Sequence, residues 1–109
     1  MQTIRRPMRF FRRNATNVAL AVGGIADSQN APSYGWDEIS IFVRMPSGGG
    51  TLDVLQRLNA SSTYVTTDSF VLLAAGFISI NVPRTGEHVR GRFTNGAVVQ
   101  SPEIILGLK

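Results

Sequence analysis

Apolar and polar residues alternate with period two through most of the 109-residue chain, the pattern of strands with one face on a core and the other in solvent. The clearest case is residues 38–44, where Ile39, Ile41 and Val43 point one way and Ser40, Phe42 and Arg44 the other. Val18, Leu20 and Val22 alternate with Asn17, Ala19 and Ala21, which predicts a first strand ending at Gly23-Gly24. Residues 27–35 are polar and rich in turn formers, so a loop is expected there, leading to Trp36. The glycine-rich segment after Pro46 supplies the next turn.

Residues 51–58 fit two templates. Leu52 and Val54 suit a strand, whereas Leu52, Leu55 and Leu58 recur at three-residue spacing as on a helix. Eight residues are short for a stable helix, so a strand is expected. Residues 63–67 are β-branched and aromatic and 69–74 are largely apolar, which predicts one strand with a bulge or two short ones. Ile78, Ile80 and Val82 then oppose Phe77, Ser79 and Asn81, and residues 83–86 close that strand with a turn. In 88–94, Val89, Gly91 and Phe93 share a face opposite His88, Arg90, Arg92 and Thr94, and Asn95-Gly96 follows as a hairpin signal. Residues 98–100 and 103–108 finish the chain as a strand interrupted by Pro102. Seven or eight short strands with one-sided apolar faces predict an all-β, antiparallel β-sandwich with Trp36 capping one end of its core; a closed barrel is the alternative.

Composition narrows the function. One small domain fits this length, and a multidomain enzyme does not. The absence of cysteine removes disulfides, thiolate nucleophiles and cysteine-based zinc sites. The charged fraction is 17%, below the usual value of about 25%, while 43% of the residues are hydrophobic. That is more apolar surface than so small a sandwich is expected to hide, so a homo-oligomer is expected, with a trimer as the first candidate.

Charge is unevenly placed. Arg5, Arg6, Arg9, Arg12 and Arg13 precede any acidic residue, and the rest of the chain carries six basic and seven acidic groups, a net of −1. The chain therefore divides into an extended basic N-terminal arm, residues 1–16, and a nearly neutral sandwich, residues 17–109. The apolar run 18–22 is shorter than the roughly 7 to 15 residues of a signal-peptide core and far short of a membrane span, so a soluble protein without a cleaved leader and without a membrane partner is expected. In the arm, arginines surround Phe10 and Phe11. Guanidinium forks pair with carboxylates or phosphates and aromatic rings bury as anchors, so Arg5, Arg6, Arg9, Phe10, Phe11, Arg12 and Arg13 are the expected partner-binding residues. Docking on a protein surface is favoured over a solvated tail, and nucleic-acid binding is favoured least because RNA-binding arms are longer and more charged.

Candidate chemistry is sparse. His88 is the one histidine, and a grouping with Asp68 and Ser69 lacks the G-x-S-x-G elbow of a hydrolase. The carboxylates Asp27, Asp37, Glu38, Asp53, Asp68, Glu87 and Glu103 are scattered without metal-ligand spacing. The segment from Ser47 to Thr51 lacks the lysine of a phosphate-binding loop and is expected to be a flexible turn. The acceptor triplets at Asn14 and Asn59 carry no weight without a secretory route. No enzymatic activity, no metal and no cofactor are expected.

The alternating block from Val89 to Gly96 (V-R-G-R-F-T-N-G), preceded by F-I-S-I-N-V-P and followed by the apolar Ile104-Ile105-Leu106, resembles the closing strands of small β-sandwich structural proteins of tailed-bacteriophage virions. The resemblance covers the last third of the chain well, residues 36–43 loosely and the arm hardly at all. It implies a jelly-roll-like sandwich, a capsid decoration or cement role, the major capsid protein as partner, and a place on the capsid surface after synthesis in the host cytoplasm. The alternatives are a head-tail or tail protein and a carbohydrate-binding module, which would stack sugars on Tyr34 and Trp36. Fold analogy alone does not fix the role.

Overall fold

Alternation in His88–Asn95 is strict, with Val89, Gly91, Phe93 and Asn95 buried and the residues between them half-exposed, so this strand runs through the middle of a sheet with one face on the core. In the computed structural model, which describes residues 9–12 and 19–109, it is one of nine strands: β1 (Arg9–Arg12), β2 (Ile25–Asp27), β3 (Ala31–Pro32), β4 (Glu38–Met45), β5 (Gly50–Arg57), β6 (Val65–Leu72), β7 (Gly76–Pro83), β8 (His88–Asn95) and β9 (Glu103–Leu108). The described residues contain no helix. The strands form two antiparallel sheets, β1-β9-β4-β7 and β2-β8-β5-β6, with β3 beside β2 on the same edge of β8. Taking β2 and β3 as one interrupted edge strand, this is the strand order of a jelly-roll sandwich.

The core lies between the sheets. Ile39, Ile41, Val43 and Met45 of β4 and Ile104, Leu106 and Leu108 of β9 face Leu52 and Val54 of β5 and Val89 and Phe93 of β8, all essentially without solvent exposure. Trp36 packs partly buried against this cluster, as the end cap expected from the sequence. The strand reading of residues 51–58 holds with shifted bounds, and Leu58, the third leucine of the helical spacing, is exposed beyond the strand. The bulge expected in residues 63–74 is a register shift of β6 opposite Val54 and Leu55.

Four expectations are corrected. Residues 19–22 form no strand; Leu20 makes a single bridge to Gln100, and residues 98–100 contribute only that bridge. The edge of β8 is taken by β2 and β3, at and within the segment expected to be a loop, where Ala26 and Ala31 enter the core between exposed or half-exposed neighbours. Pro32 is tolerated there because an edge strand has a free side. Asn95-Gly96 is not a hairpin turn: β8 and β9 belong to different sheets, as do β4 and β5, β6 and β7, and β7 and β8, so among the described residues only β5 and β6 are joined as a hairpin. The glycines after Ser47 are packed rather than flexible. A Cβ on Gly49 would lie 1.9 Å from the Leu72 carbonyl oxygen, and one on Gly50 would lie 2.4 Å from the Phe93 ring.

Of residues 1–16, expected as an arm apart from the sandwich, Arg9–Arg12 are the edge strand of a sheet, Arg9 opposite Leu108 and Arg12 opposite Ile105. Backbone pairing satisfies the edge of β9 whatever side chains the partner carries, so no apolar period announces it.

Candidate interaction surface

Among the described residues, strand direction places four loop segments at one end of the sandwich: residues 19–24, 46–49, 73–75 and 96–102. None of the residues in them is charged. Their alanines and valines face solvent, Leu73 at 90% exposure, and Val71 and Phe77 extend the apolar surface onto β6 and β7. A shallow groove of about 450 Å³ runs between Gly49, Val71, Leu73, Gly96 and Val98.

Two buried amides give this end its shape. The Gln100 Nε2 donates to Asn95 Oδ1 (2.9 Å) and to the Gly48 carbonyl (2.9 Å), while its Oε1 accepts the Ser47 and Gly48 N–H groups (2.9 and 3.1 Å). The Asn95 Nδ2 donates to the carbonyls of Leu20 (3.1 Å), Ala21 (3.0 Å) and Val98 (2.8 Å). Three of the four loops are thereby tied to one another without a charged group, and the apolar side chains they leave outside are held in place.

The opposite end is polar. Gln56, buried on β5, accepts the Thr85 and Gly86 N–H groups (2.8 and 3.1 Å) and donates to Thr67 Oγ1 (3.0 Å), clamping the β7–β8 connection. Arg84 donates to the carbonyls of Trp36 and Gly86, and Lys109 lies 3.8 Å from Glu38. On the outer face of the β8 sheet, Arg57 and Arg90 both stand over the Tyr64 ring, 4.7 and 4.5 Å from its centroid. Arg92 grips Asp27 with two hydrogen bonds (2.8 and 3.2 Å). Those bonds hold the Arg92 guanidinium above the ordinary arginine range against the opposing effect of its burial, with smaller help from the charges of Asp27 and Asp53.

Among the expected partner-binding residues, Arg9, Phe10, Phe11 and Arg12 are the four residues of β1, while Arg5, Arg6 and Arg13 lie outside the described residues. Because β1 is antiparallel to β9, Arg12 lies toward the end that carries the four uncharged loop segments and Arg9 toward the polar end. The hydrolase grouping is not assembled. Ser69 donates to Asp53 (2.6 Å), whereas His88 stands opposite Arg57, four residues further along β5 and roughly 13 Å away at strand spacing. No group of three or more potential metal-ligating side chains occurs among the described residues. Of the two aromatics required for a sugar platform, Tyr34 is exposed and Trp36 is packed on the core. Sequence reasoning missed the charge-free end because it read each loop as an isolated turn; the signal was that P-S-G-G, L-A-A and G-A-V-V-Q-S-P all lack charge and all follow strands running the same way.

No protein-family model matches this sequence, and no curated protein sequence matches it. Solved structures do match. The PBSX exported protein XepA aligns over 94% of this chain with a TM-score of 0.72 and 18% identity, and this chain spans 36% of that one. PirA aligns with a TM-score of 0.58 and 9% identity over 100% of this chain and 99% of its own. A chain of the disulfide-linked pili of Bacillus endospore appendages aligns with a TM-score of 0.54 and 9% identity, covering 99% and 93%. At these identities the likeness is one of fold: this chain is a small antiparallel β-sandwich of the kind found in those three proteins.

Proposed function

We propose that this chain is a virion structural protein and, within that class, a capsid decoration subunit that bridges neighbouring subunits of the major capsid protein. The observation that carries the reading is the apolar end whose described loop segments carry no charge and are tied together by Asn95 and Gln100. An end that exposes Leu73, Val98 and Val99 with no charge between them gains by contact with another protein, at about 25 cal/mol for each Å² of apolar surface removed from water.

The N-terminal segment supplies the second contact in this reading. Arg9 lies toward the polar end, and in this reading Arg5 and Arg6, which precede it in sequence, contact a different neighbour from the one that meets the apolar end. Arg9, Phe10, Phe11 and Arg12 continue that basic segment along the edge of the sheet, and Arg13 follows them in sequence. Contacts at opposite ends are what a bridging subunit needs. The mechanism is passive: the subunit binds the assembled shell and not its separated parts, so its binding free energy stabilises the shell by mass action. A sandwich of this fold occurs in the pili of Bacillus endospore appendages, so the scaffold is compatible with an assembly role.

Mass spectrometry of purified particles from the producing host, with heads separated from tails, tests the reading. It expects the chain in the head fraction. Recovery with the tails would make it a tail protein, and absence from particles would remove the virion role.

A further inference from the structure

The two sheets have four edges, and three of them carry features that oppose pairing with another chain. The β1 edge has Arg9 and Arg12. The β2 and β3 edge is short and carries Asp27 and Pro32. The β6 edge carries Asp68 and the bulge opposite Val54 and Leu55. The fourth edge, β7, is eight residues long and uncharged, with a proline only at its last position.

The side chains of β7 also lack cover. Ile78 and Ile80 point inward yet are only partly buried, as is Phe70 on the neighbouring edge strand β6, whereas Ile39, Ile41 and Val43 on β4 are fully buried. On the outer face Phe77, 66% exposed, stacks on Phe42 with ring centroids 6.1 Å apart, and Ser79 and Asn81 are small, uncharged and exposed.

Going beyond the capsid reading, we propose that β7 pairs antiparallel with β7 of a second copy, joining the β1-β9-β4-β7 sheets of two protomers into one continuous sheet about a two-fold axis. Two-fold pairing sets a strand against its own sequence, so any charge near the centre meets its like; β7 has none. A foreign strand would need distinctive side chains for recognition, and Ser79 and Asn81 offer none. Continuity of both sheet faces requires paired residues of equal parity. Of the two central registers, the one with Ser79 opposite Ser79 keeps Pro83, which has no N–H to donate, out of the ladder. In that register Ile78 of each copy covers Ile80 of the other, and Phe77 lies beside Asn81.

The test uses the isolated full chain. Sedimentation equilibrium at micromolar concentration should give twice the 11.8 kDa chain mass. Ser79→Lys should give a monomer with an unchanged circular dichroism spectrum, while Thr66→Lys on β6 should leave the dimer intact. Because the chain has no cysteine of its own, Ser79→Cys should form a covalent dimer on mild oxidation, and Thr66→Cys should not. A wild-type monomer, a trimer, or a Ser79→Cys chain that stays single would overturn the proposal, whatever the particle experiment shows.

Discussion

Asn95 and Gln100, both buried, are joined by a 2.9 Å hydrogen bond between their amides, and every other bond that either side chain makes goes to the backbone of a loop at the charge-free end. Their partners come from residues 20–21, 47–49 and 98, so this one pair holds together segments that are remote in sequence.

Gln100→Ala leaves the Ser47 and Gly48 N–H groups without their acceptor, and burying an unsatisfied group costs about 1 to 3 kcal/mol. Chemical denaturation should show a loss of at least about 2 kcal/mol. Asn95→Ala should behave alike, and the double variant should lose less than the sum of the two, because each single change already breaks the shared bond.

Phe93→Ala should cost about 3 to 5 kcal/mol, because Phe93 is fully buried between the sheets. A difference from wild type below about 1 kcal/mol would mean that the side chain lies outside the core, where changes usually stay within about 0.5 kcal/mol.

Gly49→Ala should destabilise by about 1 to 3 kcal/mol or more, as overpacking does, since the new Cβ meets the Leu72 backbone rather than a side chain able to move aside. Thermal unfolding of this variant measures it, and an unchanged midpoint would contradict the close approach of residues 46–49 to the end of β6.

Arg92→Gln removes a partly exposed ion pair and should cost about 1 kcal/mol or less. The folded-state pKa of Arg92 is raised, so its contribution is fully present below the ordinary arginine value and is lost only as pH rises through the still higher folded value. The difference between wild type and variant in urea titrations should therefore stay constant from neutral pH to about pH 10.

Much of this fold was legible in the sequence because one-sided burial imposes a period of two. Residues 38–44 and 88–94 showed which side chains enter the core, and Val89 and Phe93 do so. What escaped was pairing that side chains do not report. β1 is chosen by the backbone edge of β9, and β2 and β3 turn only two small alanines inward. Turn chemistry also misled at Asn95-Gly96, because a tight turn and a crossing between sheets use the same residues, and only the strand order separates them. The charge-free end is legible only after that order is known, since its four loops are dispersed over most of the chain.

The most direct measurement of the central claim is rebinding to particles stripped of this protein, comparing wild type with a Leu73→Asp/Val98→Asp variant. Both side chains are exposed, so the variant should keep its fold and its denaturation midpoint. The account predicts that the variant no longer rebinds, because two carboxylates would have to be desolvated in an apolar contact. A folded variant that rebinds as well as wild type would contradict it.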